Sequence, residues 1–465
     1  MAKSGMLTGL IMLGMLPGVT VSFGDTQGAG FRLVATDVSR GQIHAGILGE
    51  TLVVSRDNSH VAYVAASGSK HLVIVDGVEG KKFDNIGEGP ILSPDGKRVA
   101  YVAEEGGRWL VVVNGVAGKG YRGIGRKSLV FSADSRRVAY VGDEVGRQLA
   151  IVDGEEKAAD DAIGQESLVF SPDSKRTAYI AKRGGSWLIV TDGVEATPFD
   201  GIAGPPLFSP DSRRVAYVAR RGNRWVVVVD GVPAKEYEGI GEGTMIFSPD
   251  SRHLAYRAEA AGSQFVVLDG IEGKRYDGIG GAVAFSPDSK RFSYAAVRDG
   301  KWVVVMDGRE SEEYDNAWPA VFSPDSRRSA YVARRGNGRF VVVDGREAST
   351  RYGDIGKGTL VFSPDSQRIA YDGMRDNKHF VVVDGTEARV YDRAACLAFS
   401  PDSKHVALVG WHSRKPVIVV DGVEETRYDG FLRGGQLVFD SPNRFHTLAR
   451  RGEEFFLADV KIVPE

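Results

Sequence analysis

Residues 208–231 read FSPDSRRVAYVARRGNRWVVVVDG, and residues 322–345 read FSPDSRRSAYVARRGNGRFVVVDG. Each copy holds an Asp, a Ser pair and two Arg-Arg doublets, all of them groups able to do chemistry. The stretch is either a repeated active site or a repeated turn. Pro after Ser fixes φ, and short Asp and Ser side chains bond nearby backbone amides, so SPDS has the chemistry of a tight turn. The Asp-Gly that ends each copy is a hairpin signal, because Gly tolerates φ > 0.

The pattern runs through the chain. The Ser that opens SPDS, exact or degenerate, stands at Ser55, Ser93, Ser132, Ser171, Ser209, Ser248, Ser286, Ser323, Ser363, Ser400 and Ser441, at spacings of 37 to 41 residues. Asp-Gly keeps pace from Asp76 to Asp421, with Asn114 substituting once. A third marker is an aromatic, then an acidic or polar residue, then Gly, as in Tyr276-Asp277-Gly278. Repetition at this period makes each unit one supersecondary element that buries its faces against its neighbours.

Each unit reads as four short strands: a run before SPDS, an alternating stretch such as Val215 to Ala219, an apolar run from Trp225 to Val229, and a weak strand bearing the aromatic of Glu236-Tyr237-Glu238. A third strand apolar at every position must be covered on both faces. Sheets stacked face to face around an axis achieve this, so the expected fold is an all-β propeller of about eleven four-stranded blades, each of about 38 residues. The Gly-Ile-Gly segments are expected as loops between units. An N-terminal strand near "QIHAGILGE" (residues 42–50) would complete a last unit that holds only three strands. With no break in spacing mid-chain, these ends favour a single ring over two tandem propellers of five and six blades.

The strand–SPD[SG]–strand unit resembles the WD40-like (PD40) repeat of the C-terminal propeller of TolB. The same repeat occurs in propellers of prolyl-oligopeptidase-type enzymes. The resemblance runs from about Phe31 to the C-terminus and implies fold far more than function. It departs from TolB in having about eleven units where six are expected, and in lacking the separate N-terminal domain.

Composition narrows the function classes. The chain has 465 residues, 42% of them hydrophobic, which is enough for an extensive core. Its 59 glycines exceed the usual share of about 7% and point to many turns. A net charge of -2 offers nucleic acid no global field, and no nucleic-acid partner is expected. Lys3 followed by the apolar residues 6–21 reads as an export signal over residues 1–24, shorter than the roughly 20 residues that span a bilayer comfortably. An uncleaved anchor is the alternative. The propeller would then occupy residues 25–465 as a soluble, periplasmic or secreted monomer with no membrane insertion after signal removal. The single Cys396 forms no internal disulfide and no zinc cluster.

No recognisable catalytic motif is present: no G-x-S-x-G elbow, HExxH, P-loop or dinucleotide fingerprint. No enzyme activity, cofactor or metal is expected, and the eight His are scattered over different units. Trp109, Trp187, Trp225 and Trp302 recur in register at the start of the third strand and read as packing between blades. Phe265, Phe340 and Phe380 are taken to replace Trp there. Trp318 in "DNAWPA" and Trp411 beside His412 in "GWHSRK" break the pattern and read as loop-borne anchors. The doublets Arg220-Arg221 and Arg334-Arg335 join the second and third strands, where cations can hold carboxylates or sulfates. The leading expectation is an exported, non-enzymatic scaffold for protein–protein contacts in the cell envelope, its partner a protein or an envelope polymer. The alternative is a glycan or cell-wall-binding module, or a propeller enzyme acting at the channel mouth.

Overall fold

The computed structural model describes residues 30–465 apart from Arg433, and the export segment expected at 1–24 lies outside the described residues. The chain is a β-propeller of eleven four-stranded blades, with no helix among the described residues. Blade 5 illustrates the unit. Its strands Gly201–Phe208, Val215–Arg221, Arg224–Val229 and Val232–Tyr237 pair antiparallel in chain order. Val226, Val227 and Val228 of the third strand are at most 1% exposed, so both faces are covered as its composition requires. The fourth strand is exposed except at Tyr237.

The Gly-Ile segments are not loops. Gly239–Ile240 pairs with Glu259 and Ala258, while Ile246–Phe247 pairs with Ala255 and Leu254. Both are pieces of one first strand, and six of the eleven sheets break it in this way. In blade 6 the gap between the two pieces begins at Gly241, where the Arg257 Nε would stand 2.4 Å from a Cβ.

One pairing joins distant parts of the chain. Phe31–Gln42 runs antiparallel to Glu454–Pro464 and supplies the fourth strand of blade 11. Two tandem propellers would need two such closures; the described residues contain this one. The closing strand therefore lies just upstream of the stretch expected to carry it, since blade 1 already begins at Ile47–Val54.

Blades 3 to 8 (Gly118–Tyr352, with Gly107–Leu110 of blade 2) form one compact unit. Blades 9, 10, 11, 1 and the rest of blade 2 form the other, built from both ends of the chain. Within each unit, blades pack through aromatic contacts. The fourth-strand aromatic of one blade meets the second-strand Tyr of the next edge to face, as in Tyr237–Tyr256 at 6.4 Å and Phe199–Tyr217 at 6.3 Å between ring centroids.

The SPDS stretch is a turn with a second duty. In blade 5 the Ser209 hydroxyl donates to Asp211 Oδ1 at 2.6 Å, and the Arg213 amide donates to the same oxygen at 3.1 Å. Ser212 adopts φ 65° and is buried. Its Oγ accepts the Asp173 amide of blade 4 at 2.8 Å, and Ser251 Oγ accepts the Asp211 amide at 2.9 Å, so the motif links consecutive blades. The second Arg of the first doublet works alongside. Arg176 pairs with Asp192 at 2.9 Å, donates to the Ser212 and Arg213 carbonyls of blade 5 at 3.0 Å each, and covers the Phe208 ring. Asp230 and Gly231 both have positive φ (51° and 80°), the backbone of a type I′ hairpin.

Candidate functional site

With SPDS engaged in the fold, the remaining candidates sit where the second and third strands of each blade join. In blade 5 the hairpin rests on Asp200, whose Oδ2 accepts the Gly222 amide at 2.6 Å. That bond gives a role to the acidic residue that follows the fourth-strand aromatic in most blades, and Asp315 holds Gly336 at 2.6 Å in the same way.

The two arginines of each doublet have different fates. Arg221 pairs with Glu236 at 3.2 Å and lies 5.4 Å from the Phe199 ring centroid of blade 4. Arg335 pairs with Glu347 at 3.0 Å and lies over the Tyr314 ring at 5.2 Å. These two are clamps on the preceding blade. Arg220 is exposed, makes no ion pair and lies 5.9 Å from the ring centroid of Trp225, its cross-strand neighbour. Arg334 is half-buried, has no carboxylate within 4.0 Å among the described residues though its charge helps to lower the Asp315 carboxyl, and its Nε is buried without an acceptor. Alternation of side chains across the strand produces this split, since neighbours in sequence face opposite sides of the sheet.

Trp318 lies in the gap between the two pieces of the first strand of blade 8, Asn316–Ala317 and Val321–Phe322. Its amide donates to the Val332 carbonyl at 3.1 Å, the bond that Gly125, Gly164 and Gly241 make to their own second strands. It is thus tied to the second strand of blade 8, 36% exposed, with the Arg339 guanidinium 5.2 Å from its ring centroid. The structure places Trp318 and Arg334 in one blade.

Trp411 and His412 belong to blade 10, in the other unit. Trp411 pairs with Arg393 and Pro416, packs against the core, and has the Arg393 guanidinium 4.9 Å from its ring centroid. It is a strand residue at the register of Arg220. His412 holds the register of Arg221: its Nε2 meets Glu424 Oε1 at 3.0 Å and its ring lies 5.0 Å from that of Tyr391. It is a clamp in place of arginine.

The aromatic register also needs correcting. Trp225 faces Arg220, and Trp187 and Trp302 hold the equivalent places, but Phe265 pairs with Ala258 and Phe340 with Ala333, one residue further on. One residue reverses the side-chain direction in a strand, so these Phe face the preceding blade while the Trp face the next. Phe380 follows the same register as Phe265. Trp187 packs with Tyr217 and Val226 of blade 5, the inter-blade role read from its recurrence.

Two buried carboxylates escape the repeat logic. Asp372 replaces a second-strand Val, is 4% exposed, and meets His379 Nδ1 at 2.8 Å through Oδ2, while Oδ1 is buried without a partner. Burial pushes its carboxyl above the ordinary 3.8, opposed by the bond to His379. Asp160 occupies a fourth-strand aromatic position, fully buried and bonded by Arg183. Burial raises its carboxyl too, against the Arg183 hydrogen bond and charge. The departure of "AYDG" and "AADD" from the repeat was their signal in the sequence. Among the described residues, no group of three or more His, Cys, Asp or Glu is placed to hold a metal ion.

No family model matches this chain, and no curated protein matches it. Solved structures do. A crystal structure of the eukaryotic initiation factor is 14% identical over 71% of this chain and 95% of that one, with a TM-score of 0.40. TolB from Acinetobacter baumannii is 16% identical over 57% and 80%, with a TM-score of 0.26. The β-propeller domain of the Trilobed protease from Pyrococcus furiosus is 15% identical over 56% and 96%, with a TM-score of 0.28. The chain is similar to these proteins in fold, and a likeness at this level assigns no activity.

Proposed function

We propose that this chain is a non-enzymatic scaffold for protein–protein contacts in the cell envelope, with the second-to-third-strand hairpins as its contact surface. One observation carries the reading: the reactive-looking groups of the repeat are engaged in turns and inter-blade bonds, while Arg220 and Arg334 have no carboxylate within 4.0 Å among the described residues and Trp318 is 36% exposed. Unengaged cations beside aromatic rings suit binding, and nothing beside them is arranged as a nucleophile with its base. Placement in the envelope, outside any nucleic-acid role, rests on Lys3 and the apolar residues 6–21. The TolB-like PD40 assignment is part of the same proposal and rests on the repeat motif. Affinity capture from native envelope with the full chain tests the reading. One macromolecule should be enriched, and lost with Trp318→Ala or Arg334→Ala at unchanged melting temperature; retention by both variants would remove this face from consideration.

The buried Asp372–His379 pair favours a second reading, a glycan-binding module or propeller enzyme. A melting-temperature shift with an oligosaccharide panel, abolished by His379→Ala, would establish that reading in place of the first.

A further inference from the structure

We infer that the hairpin face of blades 4 to 8 receives a polypeptide segment rich in carboxylates. The inference rests on the scaffold reading and names the chemistry of its partner.

The observation is a contrast between adjacent residues. In this unit the outermost second-strand arginines are all neutralised: Arg183 by Asp160, Arg221 by Glu236, Arg298 by Glu310 and Arg335 by Glu347. One residue earlier, Lys182, Arg220 and Arg334 have no carboxylate within 4.0 Å among the described residues. Solvent alone does not explain the difference, because Lys182 and Arg334 are the more sheltered of their pairs or equally so. Two of the three, Lys182 and Arg220, lie beside an aromatic ring. Lys182 is 5.4 Å from the Trp187 ring centroid and Arg220 is 5.9 Å from that of Trp225, while blade 8 adds the exposed Trp318. A guanidinium lying over a ring keeps its N–H edges directed outward, where a carboxylate can take two of them. The buried Arg334 Nε is a donor still lacking an acceptor.

Charge order along the blades selects the class of partner. Blades 4, 5 and 8 present cations at this register, but blade 6 presents Glu259 and blade 7 presents Val297. Arg257, beside Glu259 in blade 6, is already donating to the Ile279 carbonyl at 2.9 Å. A uniformly anionic glycan would meet Glu259 on its way from Arg220 to Arg334 and be repelled there. A polypeptide varies its charge residue by residue. It can set carboxylates on blades 4, 5 and 8 and an apolar or basic side chain between them.

The test is fluorescence anisotropy on the full chain with three defined probes: a labelled Glu-Leu repeat peptide, its Gln-Leu counterpart, and labelled polygalacturonate. The Glu peptide should bind, weaken with added salt, and exceed the Gln peptide and the polysaccharide in affinity. The double variant Arg220→Gln/Arg334→Gln should weaken Glu-peptide binding by about tenfold, whereas Arg221→Gln, with its cation already neutralised, should leave it within about twofold. Melting curves confirm that each variant is folded. No binding of the Glu peptide, equal binding of the Gln peptide, tighter binding of polygalacturonate, or indifference to the double variant would each overturn the inference. A native partner whose capture survives the double variant would leave the scaffold standing and remove the acidic segment. Glu-peptide binding with the expected dependence, but with no partner captured from envelope, would do the reverse.

Discussion

Asp160 shows how a single side chain stands out only against the repeat. Its place in other blades is taken by Phe83, Tyr121, Phe199, Tyr237, Tyr276 or Tyr314, each edge to face with a Tyr of the next blade. In blade 3 the ring is replaced by a buried carboxylate whose Oδ2 has no partner, held by Arg183. Burial raises this acid, so the ionised form at neutral pH weighs against folding. Arg183 is partly exposed and keeps Glu195 as a second partner, so removing Asp160 does not strand its charge. Asp160→Tyr, which restores the ring and lets Arg183 lie over it as Arg221 lies over Phe199, should therefore raise the melting temperature by calorimetry; a lower value would mean that the ion pair itself holds blades 3 and 4 together. Arg220 and Arg221 make the complementary point. Both were legible as hairpin cations, and their separation into a free and an engaged partner was not, since Glu236 and Phe199 come from other strands.

At the scale of the element, SPDS was legible as a turn because its bonds are local: Ser209 to Asp211, and Arg214 to Ser209. Its inter-blade bond was not, because the Asp211 amide reaches Ser251, in the next copy of the motif. The last Ser of the motif thus serves its neighbour. Ser251→Ala leaves the part-buried Asp211 amide without its acceptor, and chemical denaturation should register a loss of about 1 kcal/mol; no loss would show that the turn alone accounts for the motif. The first strand was misread for a related reason. Gly239-Ile240 looks like a loop in isolation and becomes strand only when paired with Glu259 and Ala258. A one-residue register likewise set Phe265 beside Trp225 when they face different blades.

For the whole molecule, repetition makes weak local features additive. Asp134, Asp173, Asp211, Asp250, Asp288 and Asp365 are each held below their ordinary value of 3.8, first by the Ser hydroxyl of the motif and then by a backbone amide. An acid lowered by folding stabilises the native state above its unfolded value and loses that contribution as pH falls through its folded value. Asp160 and Asp372, raised by burial, run the other way but are two against six. The melting temperature should accordingly fall steeply below about pH 4, and a curve flat to about pH 2 would contradict the turn chemistry. The sheets themselves are continuous in sequence except at the closure of Phe31–Gln42 on Glu454–Pro464. That closure followed from counting strands in the last unit, since an incomplete blade has one edge to fill.

The sequence by itself determined the blade, the number of blades and that an N-terminal strand closes the last one. Those depend on turn residues and strand alternation, which act over a few positions and recur. Only the tertiary structure decided which of the many charges remain available. Arg221 finds Glu236, Arg183 finds Asp160 and Arg176 finds the Ser212 carbonyl across strands or across blades. An ion pair depends on distance in space, and the period of the repeat carries no record of that distance. The repeated stretch is therefore a turn and a clamp, and the cations left over, Arg220 and Arg334 among them, mark where this propeller can meet a partner.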